Sequence, residues 1–324
     1  MNYLRKFLSI ILVFIAFSAH AEEKKNFADW IDDFKQEAIS KGISKEIVDS
    51  AFANISEPLE NVIELDGKQP EKTILFSEYA KNIVSKKRVA AAKDKLHSLA
   101  NVLRKIENEY QVDKSTILAL WAIESNFGKN QGNFSVIQSL ATLAFEGRRS
   151  KFFRSELLDS LKILEQEQIN PEDLTGSWAG AMGQTQFMPS SFLKFAVDFD
   201  DDGKKDIWQN DSDALASIAN YLHKKDWKLN QGWGIKVELP DTEKEKWLEM
   251  KQAKTIKEWS KLGIKLENGK NLPKKSFKAR LIIPEDEEIS AFLVFPNYDI
   301  IMDWNRSIYF ATSVGLLSDA IRKK

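Results

Sequence analysis

No cysteine occurs among the 324 residues, which excludes disulfides, thiolate metal ligation and a lipid-modified N-terminal cysteine. Histidine is almost as scarce. Beyond His20, only His97 and His223 remain, which argues against a histidine-rich zinc site and against a serine–histidine–aspartate triad. Charge of one sign is missing too: 47 basic residues face 48 acidic ones. So even a balance exerts no general pull on nucleic acid or anionic lipid. Of long apolar runs there is only one, residues 7–17, and it is short for a bilayer span.

What is present begins with that run. Arg5 and Lys6 precede it, and Ser18, Ala19, His20 and Ala21 follow with small residues at the positions a signal peptidase reads. Residues 1–21 are therefore read as a signal peptide cleaved before Glu22, the alternative being an uncleaved anchor helix. The mature chain carries 45 basic against 48 acidic residues and a formal charge of −3. Export without a lipid-bearing cysteine suits a soluble periplasmic protein with no stable membrane anchor. About three hundred residues can bury a sizeable core and divide into two or three lobes.

Residues 115–128, STILALWAIESNFG, contain one residue out of pattern. At helical period Ile117, Leu120, Trp121 and Phe127 share an apolar face, and Glu124 falls on that same face. Asp113 or Ser115 can cap the start, and Gly128 is placed to end the helix. A carboxyl held among apolar side chains loses hydration, so its pKa rises and it tends to keep its proton. A protonated acid facing a groove is what glycosidic cleavage needs. The plainer reading puts Glu124 at the edge of the stripe, reaching water.

Around this stretch the pattern is mostly helical. Residues 27–53 read as two short amphipathic helices broken near Gly42, with Ser44 capping the second. A polar connection through Asp66-Gly67 and Pro70 leads to one long helix over about 77–110, with His97 on its surface. Helices are also expected over 135–143, 152–165 and 214–223. Arg148 and Arg149, ahead of the second of these, could bind carboxylates or simply sit exposed. Residues 176–192, GSWAGAMGQTQFMPSSF, combine close-approach glycines with neutral amides and aromatic rings, which suits either sugar binding or tight backbone packing. Residues 198–203, DFDDDG, open like an EF-hand loop, with Asp198, Asp200 and Asp202 alternating before Gly203. Next would come the Lys204 carbonyl. Gln209 stands where the closing glutamate belongs, and Asp213 could close a longer loop; otherwise this is a solvated acidic turn. Short strands over 237–239, 279–283 and 291–295, with a helix over 255–262, suggest a small mixed lobe.

Together these stretches resemble the lytic murein transglycosylase B family. The likeness rests on WAIESNFG at 121–128, GRRSKFF at 147–153, residues 176–192, AVDFDDDGKKDIW at 196–208, DALASIANYL at 213–222 and WNRSIYFATSVG at 304–315. The resemblance implies a mainly α, α+β fold: a lysozyme-like helical core over 96–233, an N-terminal helical lobe over 22–95, a small mixed α/β lobe over 234–296 and a C-terminal segment, 297–324, returning to the cleft. It implies peptidoglycan glycan strands as substrate, cut between N-acetylmuramic acid and N-acetylglucosamine with formation of 1,6-anhydro ends. Cell-wall synthesis partners are left open. The family's catalytic carboxyl falls on Glu124, its active-site hydroxyl and amide on Ser177 and Gln186, and its basic pair on Arg148 and Arg149. Trp304, Asn305 and Phe310 take the C-terminal cleft positions, although some members carry tyrosine where Trp304 and Phe310 stand. Asp198, Asp200, Asp202, Lys204 and Asp213 match a structural calcium loop, one residue longer than in some members. A hydrolytic muramidase and a non-catalytic, calcium-dependent wall-binding protein are the alternatives.

Overall fold

The computed structural model describes residues 26–68, 74–240, 244–284 and 290–323. The expected signal peptide lies outside the described residues. Among the described residues no helix is long and apolar enough to cross a membrane.

The chain starts with α1 (Phe27–Ser40), where the Asn26 side chain accepts the N–H of Asp29 and Phe27, Ile31, Phe34 and Ala38 form one buried stripe. Gly42, at φ +90°, turns it into α2 (Lys45–Phe52). Ser44 stands at the cap position, but its side chain does not cap. Its N–H instead donates to Glu165 Oε1 at 2.9 Å, tying this segment to a later helix. After α3 (Glu60–Gly67), the single long helix expected over 77–110 is three: α4 (Phe76–Ile83), α5 (Lys86–Ser98) and α6 (Ala100–Tyr110). The first break is built by Ser85, extended, which caps Arg88 N–H, while the Arg88 guanidinium donates to the carbonyls of Asn82 and Ile83. Arg88 thereby satisfies carbonyls that a continuous helix would have bonded.

The central element is α7 (Lys114–Ser125). It carries more than a single apolar face. Every residue from Ser115 to Ala122 is buried, because α5, α6 and two later helices close on it from several sides. It ends at Ser125, earlier than Gly128: Asn126, Phe127 and Gly128 all take positive φ, at 50°, 60° and 79°. A positive φ at a bulky residue such as Phe127 is strained and concentrates at functional sites.

A two-residue antiparallel pair, β1 (Phe134–Ser135) with β2 (Thr175–Gly176), brackets α8 (Val136–Glu146) and α9 (Ser150–Glu167). The glycine-rich stretch 176–192 folds as a bridged loop leading into α10 (Pro189–Phe195). A Cβ on Gly132 would meet the Gly176 carbonyl oxygen at 2.1 Å, so backbone rather than ligand fills that approach. The acidic loop then enters α11 (Asp211–Lys224), capped by the Asn210 side chain.

The mixed lobe is a five-stranded antiparallel sheet in the order β4–β6–β7–β3–β5, from β3 (Gly234–Glu238), β4 (Lys254–Thr255), β5 (Lys265–Leu266), β6 (Lys278–Ile282) and β7 (Ala291–Val294). With α12 (Lys244–Glu249) and α13 (Ile256–Lys261) it encloses its own hydrophobic cluster around Trp259. The chain returns through α14 (Pro296–Trp304) and α15 (Ile308–Arg322). Helix α15 packs along α7, where Ser318 meets Thr116 and Ser115 through hydroxyl hydrogen bonds of 3.1 and 3.0 Å. One continuous hydrophobic cluster spans the N-terminal helices, the central helices and α15. The architecture is mainly α with a small sheet, as the sequence pattern implied.

Candidate active site

Glu124 sits in the last turn of α7, two residues before the left-handed exit at Asn126. Its Oε1 accepts the indole N–H of Trp304, the final residue of α14, at 2.7 Å. Burial raises its pKa from the usual 4.5 to about 7, and the Trp304 hydrogen bond draws it part of the way back. Among the described residues, those are the causes of the shift; no second carboxylate contributes. A carboxyl so placed holds its proton near neutral pH and can give it up.

Trp304 packs against a pair of rings, with its centroid 4.7 Å from that of Tyr221 on α11 and 5.3 Å from that of Phe187. Beside them Tyr79 of α4 is half-buried, and its phenol pKa is raised by burial and by the charge of Glu124. Neither Tyr79 nor Tyr221 stands out in the sequence. Tyr79 lies in a polar stretch with no motif, and Tyr221 reads as part of the apolar face of its helix.

Behind Glu124, the carboxyl's own helix is held by Gln184, which is 3% exposed. Gln184 Oε1 accepts from Trp121 Nε1 at 2.7 Å, and its Nε2 donates to the Trp208 carbonyl and to Asp211 Oδ1. Its main-chain carbonyl accepts from Ser125 Oγ at 2.7 Å. The sequence left the neutral amides of residues 176–192 open between sugar binding and tight packing. Burial and these bonds make Gln184 a strut between α7 and the acidic loop.

The other expected residues distribute as follows. Ser177 Oγ accepts the N–H of Ala181 at 3.1 Å, which leaves its hydroxyl proton available to donate. Gln186, at φ 51°, donates its amide to the carbonyls of Gln131 and Gly183, leaving Oε1 as an acceptor. Asn305 is exposed beside Trp304, its Oδ1 accepting from Ser307 N–H. Phe310 is 6% exposed at the start of α15. Arg148 and Arg149 gather about Asp66 of α3: Arg148 Nη2 lies 3.2 Å from its carbonyl oxygen, and Arg149 Nη2 lies 4.0 Å from its carboxylate. The guanidinium of Arg149 also rests over the Phe153 ring at 4.9 Å.

In the acidic loop the carboxylate oxygens of Asp198, Asp200 and Asp202 lie within 4.8 Å of one another. Asp198 accepts the N–H groups of Asp202 and Gly203, and Asp202 accepts that of Lys204, so the turn is tightly wound. The donors are hard oxygens, the type a calcium ion takes. Asp213 is fully buried and spends both oxygens on the N–H groups of Phe199 and Asp206. Burial lifts its pKa to about 6, and the charges of Asp200 and Asp198 add to the rise.

The site thus centres on a half-buried, proton-holding carboxyl beside a cluster of aromatic rings. The model of the "Transglycosylase SLT domain" family matches residues 26–319. This chain belongs to that family. It is similar to the membrane-bound lytic murein transglycosylase B of Escherichia coli K12, 40% identical over 119 residues, which is 36% of this chain and 33% of that protein. The match thus spans about a third of the length of that curated relative. SltB3 from Pseudomonas aeruginosa, solved in complex with NAG-NAM-pentapeptide, is similar over far more: 40% identity, 93% of this chain, 80% of that chain and a TM-score of 0.88. The same protein was also solved with NAG-anhNAM-pentapeptide, at a TM-score of 0.87. Escherichia coli Slt35, in complex with calcium, is 25% identical over 90% of this chain and 92% of that one, at a TM-score of 0.75. The expected family is therefore the observed one.

Proposed function

We propose that this SLT-domain protein is a lytic transglycosylase that cuts peptidoglycan strands between N-acetylmuramic acid and N-acetylglucosamine, leaving 1,6-anhydro ends. The observation that carries the reading is Glu124: a desolvated carboxyl whose pKa is near 7 and whose hydrogen-bond partner is a neutral indole. Such a group serves first as acid and then as base. It protonates the glycosidic oxygen while the substrate's own acetamido group supports the developing positive charge. The resulting carboxylate then takes the proton of the C6 hydroxyl, which attacks the anomeric carbon of its own ring. The intramolecular hydroxyl is already in place, so it outcompetes water through a high effective concentration. The free Ser177 proton and the free Gln186 oxygen suit the acetamido group and nearby hydroxyls. Arg148, Arg149, Asn305 and Trp304 would line the strand's path, with the buried Phe310 packed behind them. The complexes of SltB3 with both NAG-NAM-pentapeptide and NAG-anhNAM-pentapeptide support this substrate and product class.

A hydrolytic muramidase would need a second carboxylate to activate water or form a covalent intermediate, and none contributes to the environment of Glu124 among the described residues. A binding protein without catalysis would have no use for a costly buried acid. Asp198, Asp200 and Asp202, with the Lys204 carbonyl, would hold a calcium ion that fixes the loop and supplies no chemistry, and Asp213, expected as a further ligand, braces the loop through the N–H groups of Phe199 and Asp206; that the related Slt35 was solved in complex with calcium supports an ion here. We place the mature enzyme in the periplasm, with 22–95, 96–233, 234–296 and 297–324 as its N-terminal helical, catalytic, mixed and returning segments. The deciding experiment is digestion of purified sacculi in heavy-oxygen water, with mass measurement of the released muropeptides. Unlabelled ends lighter by one water are expected, whereas labelled reducing ends as the main product would make the protein a hydrolase.

A further inference from the structure

The Glu124–Trp304 contact contains a chemical asymmetry. An indole N–H can donate a hydrogen bond and has no lone pair with which to accept one. A carboxylic acid, by contrast, has one oxygen that carries the proton and one that can only accept. With Trp304 Nε1 at 2.7 Å from Oε1, a proton on Oε1 facing the indole would put two hydrogens against each other. The indole is also braced. Its ring rests on the packed pair Tyr221 and Phe187, whose own centroids lie 6.1 Å apart, and its residue ends α14, where the N–H of Asn305 bonds the Ile301 carbonyl.

We propose that Trp304 is a positioning residue that assigns the catalytic proton of Glu124 to Oε2 and keeps Oε1 as a fixed acceptor throughout the cycle. The inference rests on the reading of Glu124 as acid and then base. Its consequence is that one and the same oxygen gives the proton to the leaving group and recovers one from the C6 hydroxyl. No rotation of the carboxyl is needed between the two halves. A phenol in place of the indole could turn its hydrogen away and accept from Oε1 instead, so it would permit both proton placements.

The charged and titratable groups on the surrounding elements leave the assignment to Trp304. On α4, Tyr79 feels the charge of Glu124. On α5, Arg88 is bonded to the carbonyls of Asn82 and Ile83, and Lys95 pairs with Asp211 of α11. On α11, the Tyr221 phenol is pushed up to about 12 by burial and by Asp303, and Asp303 of α14 itself pairs with Lys225. On α15, Tyr309 packs against Tyr79 with centroids 5.7 Å apart.

The test uses the full mature chain without substrate, its indole nitrogens labelled, followed by proton–nitrogen spectra across neutral pH. Among the nine tryptophans, the Trp304 signal is identified by its loss in Trp304→Phe or, should that variant fold poorly, in Trp304→Tyr. That signal should move with a single midpoint at the pKa of Glu124 and stay flat in Glu124→Gln. In turnover assays Trp304→Phe should carry the alkaline limb of kcat/KM upward by about one pH unit, because a donor to the ionised form is gone. Trp304→Tyr, which keeps a donor, should bring the limb part of the way back. An indole signal that ignores pH in the wild-type protein overturns the proposal, as does an unshifted limb in a folded Trp304→Phe. Labelled reducing ends together with a titrating indole would sink the transglycosylase reading and leave the proton placement standing.

Discussion

Replacing Glu124 with glutamine should stabilise this protein, and should do so only where the carboxyl of the unfolded chain is ionised. In the unfolded chain that carboxyl has its ordinary pKa of 4.5, and in the fold burial lifts it to about 7. Below the lower value both states carry the proton and the group is neutral to stability. As pH rises between the two values, the unfolded state sheds its proton first, so folding is progressively opposed. Above the folded value the full difference applies, at most about 3 kcal/mol. Glutamine has the same shape, stays neutral throughout and can still accept the Trp304 N–H through its carbonyl oxygen. The variant should therefore match the wild type near about pH 4 and exceed it by up to about 3 kcal/mol near about pH 8. For a chain of this size that corresponds to roughly 6 °C in Tm. Urea unfolding of both proteins at several pH values measures the gap directly. A gap that is absent, or the same at both ends of the range, would refute the claim that Glu124 is a desolvated acid. The same substitution removes the transferable proton, so turnover of sacculi should drop by about 10²–10⁴-fold while glycan fragments still bind.

Calcium should raise the melting temperature of the native protein and have little effect on Asp200→Asn/Asp202→Asn. At a hundredfold excess over Kd the gain is about 2.7 kcal/mol, and equal melting curves with calcium and with chelator would remove the ion from the account. Gln184→Leu should cost about 2–3 kcal/mol in urea unfolding, because it orphans the buried Trp121 indole and cuts the link from α7 to the acidic loop. It should also slow turnover, since Trp121 and Ser125 flank Glu124. A Gln184→Leu protein of native stability would show that the strut is dispensable.

Much of the chemistry could be read from local sequence. Glu124 was visible as an acid within an apolar helical pattern, and Asp198, Asp200 and Asp202 as alternating oxygens before a turn glycine. Short-range order sets both, through helical period and turn geometry. Ser85 too carries a cap signal, which marks the first of the two breaks in the stretch 77–110. Other features belong to the tertiary structure alone. The burial of α7 on all sides depends on α5, α6, α11 and α15 closing around it, and no pattern within twelve residues records that. The part of Gln184 as a strut depends on Trp121, Trp208 and Asp211 converging on one amide. Arg148 and Arg149 find their acid in Asp66, about eighty residues earlier. The pKa of Glu124 is the clearest case. Its sequence neighbours supply the carboxyl, but desolvation comes from the packed cleft, and the one hydrogen bond that tunes it arrives from Trp304, 180 residues downstream. Sequence determined which group would carry the proton. Packing decided how tightly that proton is held, because desolvation depends on everything that surrounds a charge and not on what adjoins it in the chain.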